Sequence, residues 1–227
     1  MSAPATWAVV PVKRLGGALG RLAPTIERPL RRKLQVAMLR DVLRACAGAR
    51  GLEGLLVVTS DAQAAALARE LADAEVIPDH DPPRGMNGAV ARGLGEVAAR
   101  GAAAALVMTA DLPLARPDDV EAILAAALPA PSAVLVPSHE GTGTNAMLLH
   151  PPRAIAPRLG PGSLARHLAQ AERRAVAVRR LERPRIALDI DTPRDLAALV
   201  ARGGDGDTVA ACARLRIAER LGAGSVL

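Results

Sequence analysis

Short, continuous apolar runs alternate with longer segments of helical periodicity along most of this chain, and few architectures accept that alternation. The runs are Trp7–Val12, Gly54–Asp61, Ala74–Pro78, Ala104–Thr109 and Ser132–Pro137. Between them, apolar residues recur at three- and four-residue spacing. One such segment carries Leu34, Met38, Val42 and Cys46, widened by Leu39 and Leu43; the next carries Ala64, Leu67, Ala68 and Leu71. Val90, Leu94 and Val97 mark a third, and Val120, Ile123 and Leu124 a fourth. The order β-α-β-α-β-α-β-α predicts an α/β fold, a mostly parallel sheet with helices on both faces. Unbroken apolar strands are what a sheet covered on both sides requires. The first helix is expected over Arg28–Ala47, with Pro29 in its first turn and Cys46 as a core residue.

Open parallel sheets bind ligands beyond the carboxyl ends of their strands. The fourth run ends there in Ala110-Asp111-Leu112-Pro113, so Asp111 is a carboxylate delivered to the ligand edge. The first strand leads into Lys13-Arg14-Leu15-Gly16-Gly17-Ala18-Leu19-Gly20-Arg21-Leu22. Glycines that let backbone N–H groups approach a ligand, flanked by cations, suit a phosphate. The Gly-Lys-Ser/Thr ending of a Walker loop is absent; an ordinary flexible loop is the alternative. In Gly85-Met86-Asn87-Gly88, Asn87 is either a helix N-cap or a ligand contact. Ser60 or Asp61 should cap the second helix.

Beyond Pro137, Gly141 to Leu149 reads as a turn entering a further strand. Gly160-Pro161-Gly162-Ser163 precedes a helix through Leu164, His167, Leu168 and Ala171, offering N–H groups to an anion. Ser163 as a plain N-cap is the alternative. Ile186–Pro193 reads as a strand, which would set Asp189 and Asp191 on one face. Paired carboxylates are unfavourable unless a cation neutralises them, and a hard divalent cation with oxygen ligands does so. The alternative makes Asp191 a cap for the helix through Leu196, Leu199 and Val200. His80, His139, His150 and His167 lack His or Cys partners at ligand spacing and are expected to be solvated or at the core edge.

A chain of 227 residues accommodates one domain, expected over 1–203, with a helical appendage over 204–227. The formal net charge of +6 comes from 27 Arg and two Lys scattered through helical segments. Trp7 is the only aromatic residue, so the stacking platforms of single-strand nucleic-acid binders are missing and no nucleic-acid partner is expected. A basic surface suits small polyanions instead. Two cysteines make neither a disulfide framework nor a metal cluster. Charges interrupt every apolar run short of membrane-spanning length, and Met1-Ser2-Ala3-Pro4 does not open a signal peptide. No membrane partner and a cytoplasmic location are expected. Lys occurs only at 13 and 33, and Asn only at 87 and 145, which singles these residues out in an Arg-, Ala- and Gly-rich chain.

Five segments taken in order resemble one family. They are Val9–Leu15, Ala37–Leu43, Ala110–Leu114, Gly143–Ala146 and Leu188–Pro193. Together they look like the CofC-type guanylyltransferases of deazaflavin coenzyme F-420 biosynthesis, over about residues 7 to 203. The resemblance implies a GT-A-like (Rossmann-like) nucleotidyltransferase that joins GMP from GTP to a phosphorylated three-carbon acid, phosphoenolpyruvate or 2-phospho-L-lactate, releasing pyrophosphate. It implies that Asp111, Asp189 and Asp191 hold Mg²⁺, that Thr144, Gly160 and Ser163 hold the acid, and that Lys13, Arg21 and Asn87 lie along the GTP. A homodimer is open as the assembly.

One departure stands out. The family continues its first loop as Ala-Lys-Ser-Arg-Leu, whereas this chain has Ala18-Leu19-Gly20-Arg21-Leu22. A cation and a hydroxyl are missing there, and Arg14, Arg31 or Lys33 are the candidates to compensate. Two other readings follow: another nucleotidyltransferase such as a molybdenum-cofactor guanylyltransferase, or a catalytically weakened nucleotide-binding scaffold. The intervening Val12-Lys13-Arg14-Leu15 before the Gly-Gly pair counts against the former. Of the two acids, phosphoenolpyruvate is the expected substrate.

Overall fold

The computed structural model describes residues 4–17, 19–79 and 82–223; Ala18 and His80 lie outside them. In chain order the elements are β1 (Thr6–Pro11), α1 (Arg28–Gly48), β2 (Leu52–Val58), α2 (Ala62–Ala72), β3 (Glu75–Ile77), α3 (Gly85–Ala99), β4 (Ala104–Met108) and α4 (Pro117–Ala125). Then come β5 (Ser132–Pro137), β6 (Thr144–His150), α5 (Ser163–Arg173), β7 (Ala177–Arg180), α6 (Pro184–Ala187), α7 (Pro193–Arg202), α8 (Asp207–Arg214) and α9 (Ile217–Ala223). A 3₁₀ turn, Gly20–Leu22, sits between β1 and α1. The sheet has seven strands in the order β3-β2-β1-β4-β6-β5-β7. β6 runs against both its neighbours, and the other pairings are parallel.

The chain leaves β1 towards β2 on one side and returns to β4 on the other, so the crevice between β1 and β4 is the topological switch point where such sheets bind ligands. Pro11, expected near a strand end, closes β1 in a central strand. It has no N–H to donate, and the ladder with β4 stops at Val9–Val107 while that with β2 runs on to Pro11–Val58. The sheet therefore opens at the carboxyl end of β4.

Both faces are covered, as the apolar strands require. Val10, Val57 and Leu106 pack against Leu39, Val42 and Leu43 of α1 and Ile123 of α4. On the other face, Val9, Val107 and Leu135 meet Val90, Leu94 and Val97 of α3 and Leu164 of α5. α3 lies close to the sheet at Gly93, where a Cβ would stand 2.5 Å from Val9 Cγ1. Cys46 is in the first of these clusters, as its spacing predicts.

A third cluster closes one end. Leu22, Ile26, Leu34 and Met38 pack there with Leu196 and Leu199 of α7 and with Ala211, Cys212 and Ile217 of the last two helices. Asp41 of α1 fastens α8: its buried carboxylate accepts the Asp207 N–H at 2.7 Å, the Thr208 N–H at 2.9 Å and the Thr208 hydroxyl at 2.5 Å.

One expected strand is absent and one unexpected strand is present. Ile186–Pro193 is not a strand. Pro184 opens the single turn of α6, a position that suits its fixed φ. The segment after it bonds to loops rather than to a ladder, with the His139 N–H donating to the Ala187 carbonyl and the Ile190 N–H to the Asp111 carbonyl. Conversely, β7 has no apolar run to reveal it. It is a short edge strand of Ala177, Val178, Arg179 and Arg180, mostly exposed, parallel to β5. Charge on an edge is a common guard against further pairing, and it also hides the strand from a periodicity reading.

Candidate active site

A cleft of about 450 Å³ opens at the switch point. Lys13, Arg21, Asp111, Thr144, Gly160, Ser163, Asp189 and Asp191 all line it, so eight of the nine site residues expected from sequence share one cavity. Thr109, Ser138, Glu140, Thr142 and Asn145 join them.

Asp111 follows β4 directly, and its Oδ1 is shut off from solvent with no hydrogen-bond partner. Burial, reinforced by the charges of Asp189 and Asp191, pushes its carboxyl up to about 6. Asp189 is also raised, chiefly by burial. These are carboxylates held where they are uncomfortable. Among the described residues, no three His, Cys, Asp or Glu side chains converge into a ready-made metal cage.

The Asp189 segment is fastened by Asn145. Its buried amide donates to the Ile186 carbonyl at 2.9 Å, the Ala187 carbonyl at 3.0 Å and Asp189 Oδ1 at 3.1 Å. Asn145 thus brings Asp189 to the end of β6, the result a strand was expected to give. Asp191 is not a helix cap. Thr192 takes that role on α7 in a reciprocal arrangement with Asp195, leaving the Asp191 carboxylate to Arg21 Nη1 at 3.3 Å. His139 is not isolated either: its Nδ1 lies 3.7 Å from Asp189 Oδ1 and its Nε2 3.2 Å from Asp195 Oδ1. His150 bonds the Leu128 carbonyl at 3.1 Å.

Cations reach the cleft by side chain, while the N–H groups of Leu15, Gly16 and Gly17 are bonded within the protein. The Leu15 N–H donates to Asp61 Oδ2 at 2.9 Å, Gly16 N–H to Gln35 Oε1 at 2.6 Å and Gly17 N–H to the Arg14 carbonyl at 3.2 Å. Asp61 is also the cap of α2, as expected, through its other oxygen. No backbone cradle is therefore presented by residues 15–17. Leu19 is buried in the third cluster, which accounts for an apolar residue there. Of the proposed compensating cations, Arg31 donates to the Leu19 carbonyl and Lys33 lines a separate cleft between α1 and α8. Neither lines the cleft with Asp111, nor does Arg14.

The far wall is a hydroxyl pocket. Gly162, in the left-handed region at φ 68°, caps α5, so Ser163 is the first helical residue rather than the cap. Its Oγ is buried without a partner. The first N–H groups of α5 are not free: Ser163 donates to Gly160 and Leu164 to Thr142. Thr144 opens β6 and its Oγ1 lies 3.1 Å from Nδ1 of His167. That histidine is fully buried, not solvated or at the core edge. Asn87 stands apart. It is within α3 rather than at its cap, and both ends of its amide engage Leu159, accepting the N–H at 2.7 Å and donating to the carbonyl at 3.2 Å. It holds the pocket's Leu159–Gly160 wall against α3 without lining the cleft.

Acidic groups thus face cations and a hydroxyl pocket across the sheet switch point, the place where open α/β sheets bind ligands. A protein assigned as a nucleotide-diphospho-sugar transferase from Desulfovibrio desulfuricans has the same fold, with a TM-score of 0.73 over 95% of this chain and 96% of its own, at 17% identity. A Mycobacterium tuberculosis protein crystallised with manganese aligns at a TM-score of 0.52 over 87% of this chain and 98% of its own, at 22% identity. Residues 6–225 match the family described as guanylyl transferase CofC like. The phosphoenolpyruvate guanylyltransferase of Rubrobacter xylanophilus is 44% identical over 198 residues, 87% of this chain and 95% of that one. The chain belongs to the CofC-like guanylyl transferase family.

Proposed function

We propose that this enzyme transfers GMP from GTP to phosphoenolpyruvate, releasing pyrophosphate, in coenzyme F-420 biosynthesis. The observation that carries the proposal is the orphaned, buried Asp111 oxygen beside Asp189 and Asp191, placed across one cleft from a hydroxyl pocket of Thr144 and Ser163. A hard divalent cation fits that donor set, because it would give the Asp111 oxygen a partner and relieve the repulsion among three carboxylates. Asp111, Asp189 and Asp191 would hold it, with Mg²⁺ the proposed ion. When bound, it supplies Lewis-acid stabilisation of charge on the phosphoryl oxygens.

The chain's own residues do the rest. Lys13 and Arg21 lie along the GTP phosphates and neutralise charge that moves onto the departing pyrophosphate. Thr144, Ser163 and the Gly160 turn receive the acid and aim its phosphate at the α-phosphorus. A new P–O bond forms from a phosphate oxygen of the acid, the bond to the β-phosphate oxygen breaks, and the electron pair leaves with pyrophosphate. The attacking phosphate is largely dianionic at neutral pH, so no strong general base is required.

Residues 1–203 are proposed as the catalytic unit and 204–227 as an appendage. No helix among the described residues is long and apolar enough to cross a membrane, and a cytoplasmic location is proposed. The test is to incubate the protein with GTP, Mg²⁺ and either phosphoenolpyruvate or 2-phospho-L-lactate and follow pyrophosphate. Release with phosphoenolpyruvate is expected. GTP binding without release on either acid would replace this reading with that of a scaffold, the reading the Leu19-Gly20 departure motivates.

A further inference from the structure

The buried His167 sits behind the hydroxyl pocket, where its two ring nitrogens have different partners. Nε2 lies 2.9 Å from the Arg158 backbone N–H, which can only donate. Nε2 must therefore carry a lone pair. In a neutral ring the proton is then on Nδ1, the atom 3.1 Å from Thr144 Oγ1. Full burial and the neighbouring Arg166 charge keep the ring neutral, its pKa lowered to about 4. Thr144 Oγ1 thus accepts from His167, and its own hydroxyl proton is left for another acceptor. With the opposite tautomer that proton would be spent on the ring, and only lone pairs would face the cleft.

We infer that His167 is a positioning residue that fixes Thr144 as a hydrogen-bond donor toward the anionic acid substrate, through the one-way chain Arg158 N–H to His167 to Thr144 O–H. The inference rests on the proposed assignment of the acid to the Thr144–Ser163 pocket and names what gives that pocket its polarity. Ser163 Oγ, buried and unpartnered beside it, is a second hydroxyl available to the same anion. Two donor hydroxyls select an acceptor-rich ligand, a carboxylate or phosphate, over a sugar hydroxyl or an amine.

Amide side chains test the wiring, because each reproduces one ring nitrogen. The amide nitrogen of His167→Asn falls near Nδ1 and can still donate to Thr144. The amide of His167→Gln reaches the Nε2 position and can satisfy Arg158, but it leaves Thr144 without its donor. Steady-state kinetics should show His167→Gln raising KM for phosphoenolpyruvate about tenfold, the scale of one lost hydrogen bond, with KM for GTP unchanged. His167→Asn should stay within about threefold of wild type for both. Equal losses in the two variants, or a loss falling on GTP, overturns the inference. Independently of any variant's folding, ¹⁵N NMR of histidine-labelled wild type should find the His167 ring proton on Nδ1; finding it on Nε2 overturns the inference outright. Absence of wild-type turnover with either acid is a different failure, that of the functional reading itself.

Discussion

Replacing Asp111 with Asn should make the metal-free protein more stable while abolishing its activity. The wild-type carboxyl is pushed from 3.8 to about 6 by burial and by Asp189 and Asp191. A raised carboxyl pKa means that the folded state binds the proton more tightly than the unfolded chain. The ionised carboxylate therefore costs stability, nothing below pH 4 and the full amount above pH 6. Two units correspond to about 3 kcal/mol. For a chain of this size that is roughly 6–12 °C in Tm. Thermal unfolding in chelator should show Asp111→Asn above wild type by that margin at pH 8, with the gap closing as pH falls through 6 towards 4. Saturating Mg²⁺ should reverse the order, since an ion at about a thousand times its Kd adds about 4.1 kcal/mol to the form that binds it. Pyrophosphate release should fall at least a hundredfold in the variant, a scale typical of lost charge stabilisation. A stability difference independent of pH, or none at all, would refute the view that Asp111 is held ionised at a cost.

Other perturbations test the scaffold. Gly93→Ala should cost about 1–3 kcal/mol through overpacking, because its Cβ would meet Val9 and Val58 side chains at 2.5 and 3.0 Å; urea unfolding measures it, and a neutral result would mean α3 lies farther from the sheet. Asp41→Ala strands the Asp207 N–H and the Thr208 N–H and hydroxyl, so about 3 kcal/mol should be lost, with proteolytic cleavage appearing first between α7 and α8. Asn145→Leu should weaken Mg²⁺ binding, read by calorimetry, with all three proposed carboxylate ligands still present, because it removes the bond to Asp189 Oδ1; an unchanged affinity would show that Asp189 needs no fastening. Gly20→Ser meets no atom within 4 Å of its Cβ, so stability should hold while KM for GTP falls if this turn faces the phosphates.

The strands that carry the sheet were readable because burial on both faces leaves an unbroken apolar signature, as in Ala104–Met108 and Ser132–Pro137. β7 was not, since an edge strand of Arg179 and Arg180 has nothing to bury on its outer side. Asp111 was legible from its place after a strand. The pairing of Asp189 with Asp191 was reached through strand alternation that the fold does not use. What sets their position is Asn145, more than 40 residues earlier in the chain, and no local pattern encodes that bond. The glycine loop failed for the same reason. Whether its N–H groups are free depends on Asp61 and Gln35, acceptors 46 and 19 residues away. His139 is exposed, as expected, but the burial of His167 is not legible, because its partners are a backbone N–H and a hydroxyl brought in by folding rather than ligand-type residues nearby in sequence.

These failures share a direction that bears on how the site works. Most polar groups misread from sequence are held by long-range bonds, and most of those bonds hold a piece of non-ladder chain. Residues 188–191 have no strand partner; Asn145, the Asp111 carbonyl and the α7 cap position them. Asp111 itself stands where Pro11 has ended the β1–β4 ladder early. A segment fixed by a few bonds can shift by fractions of an ångström at less cost than a paired strand, in which one displacement strains the whole register. Carboxylates that repel one another without a cation and must converge on one when it arrives need that freedom. Placing them on a paired strand, as the alternation of Asp189 and Asp191 suggests, would have frozen the repulsion into the sheet.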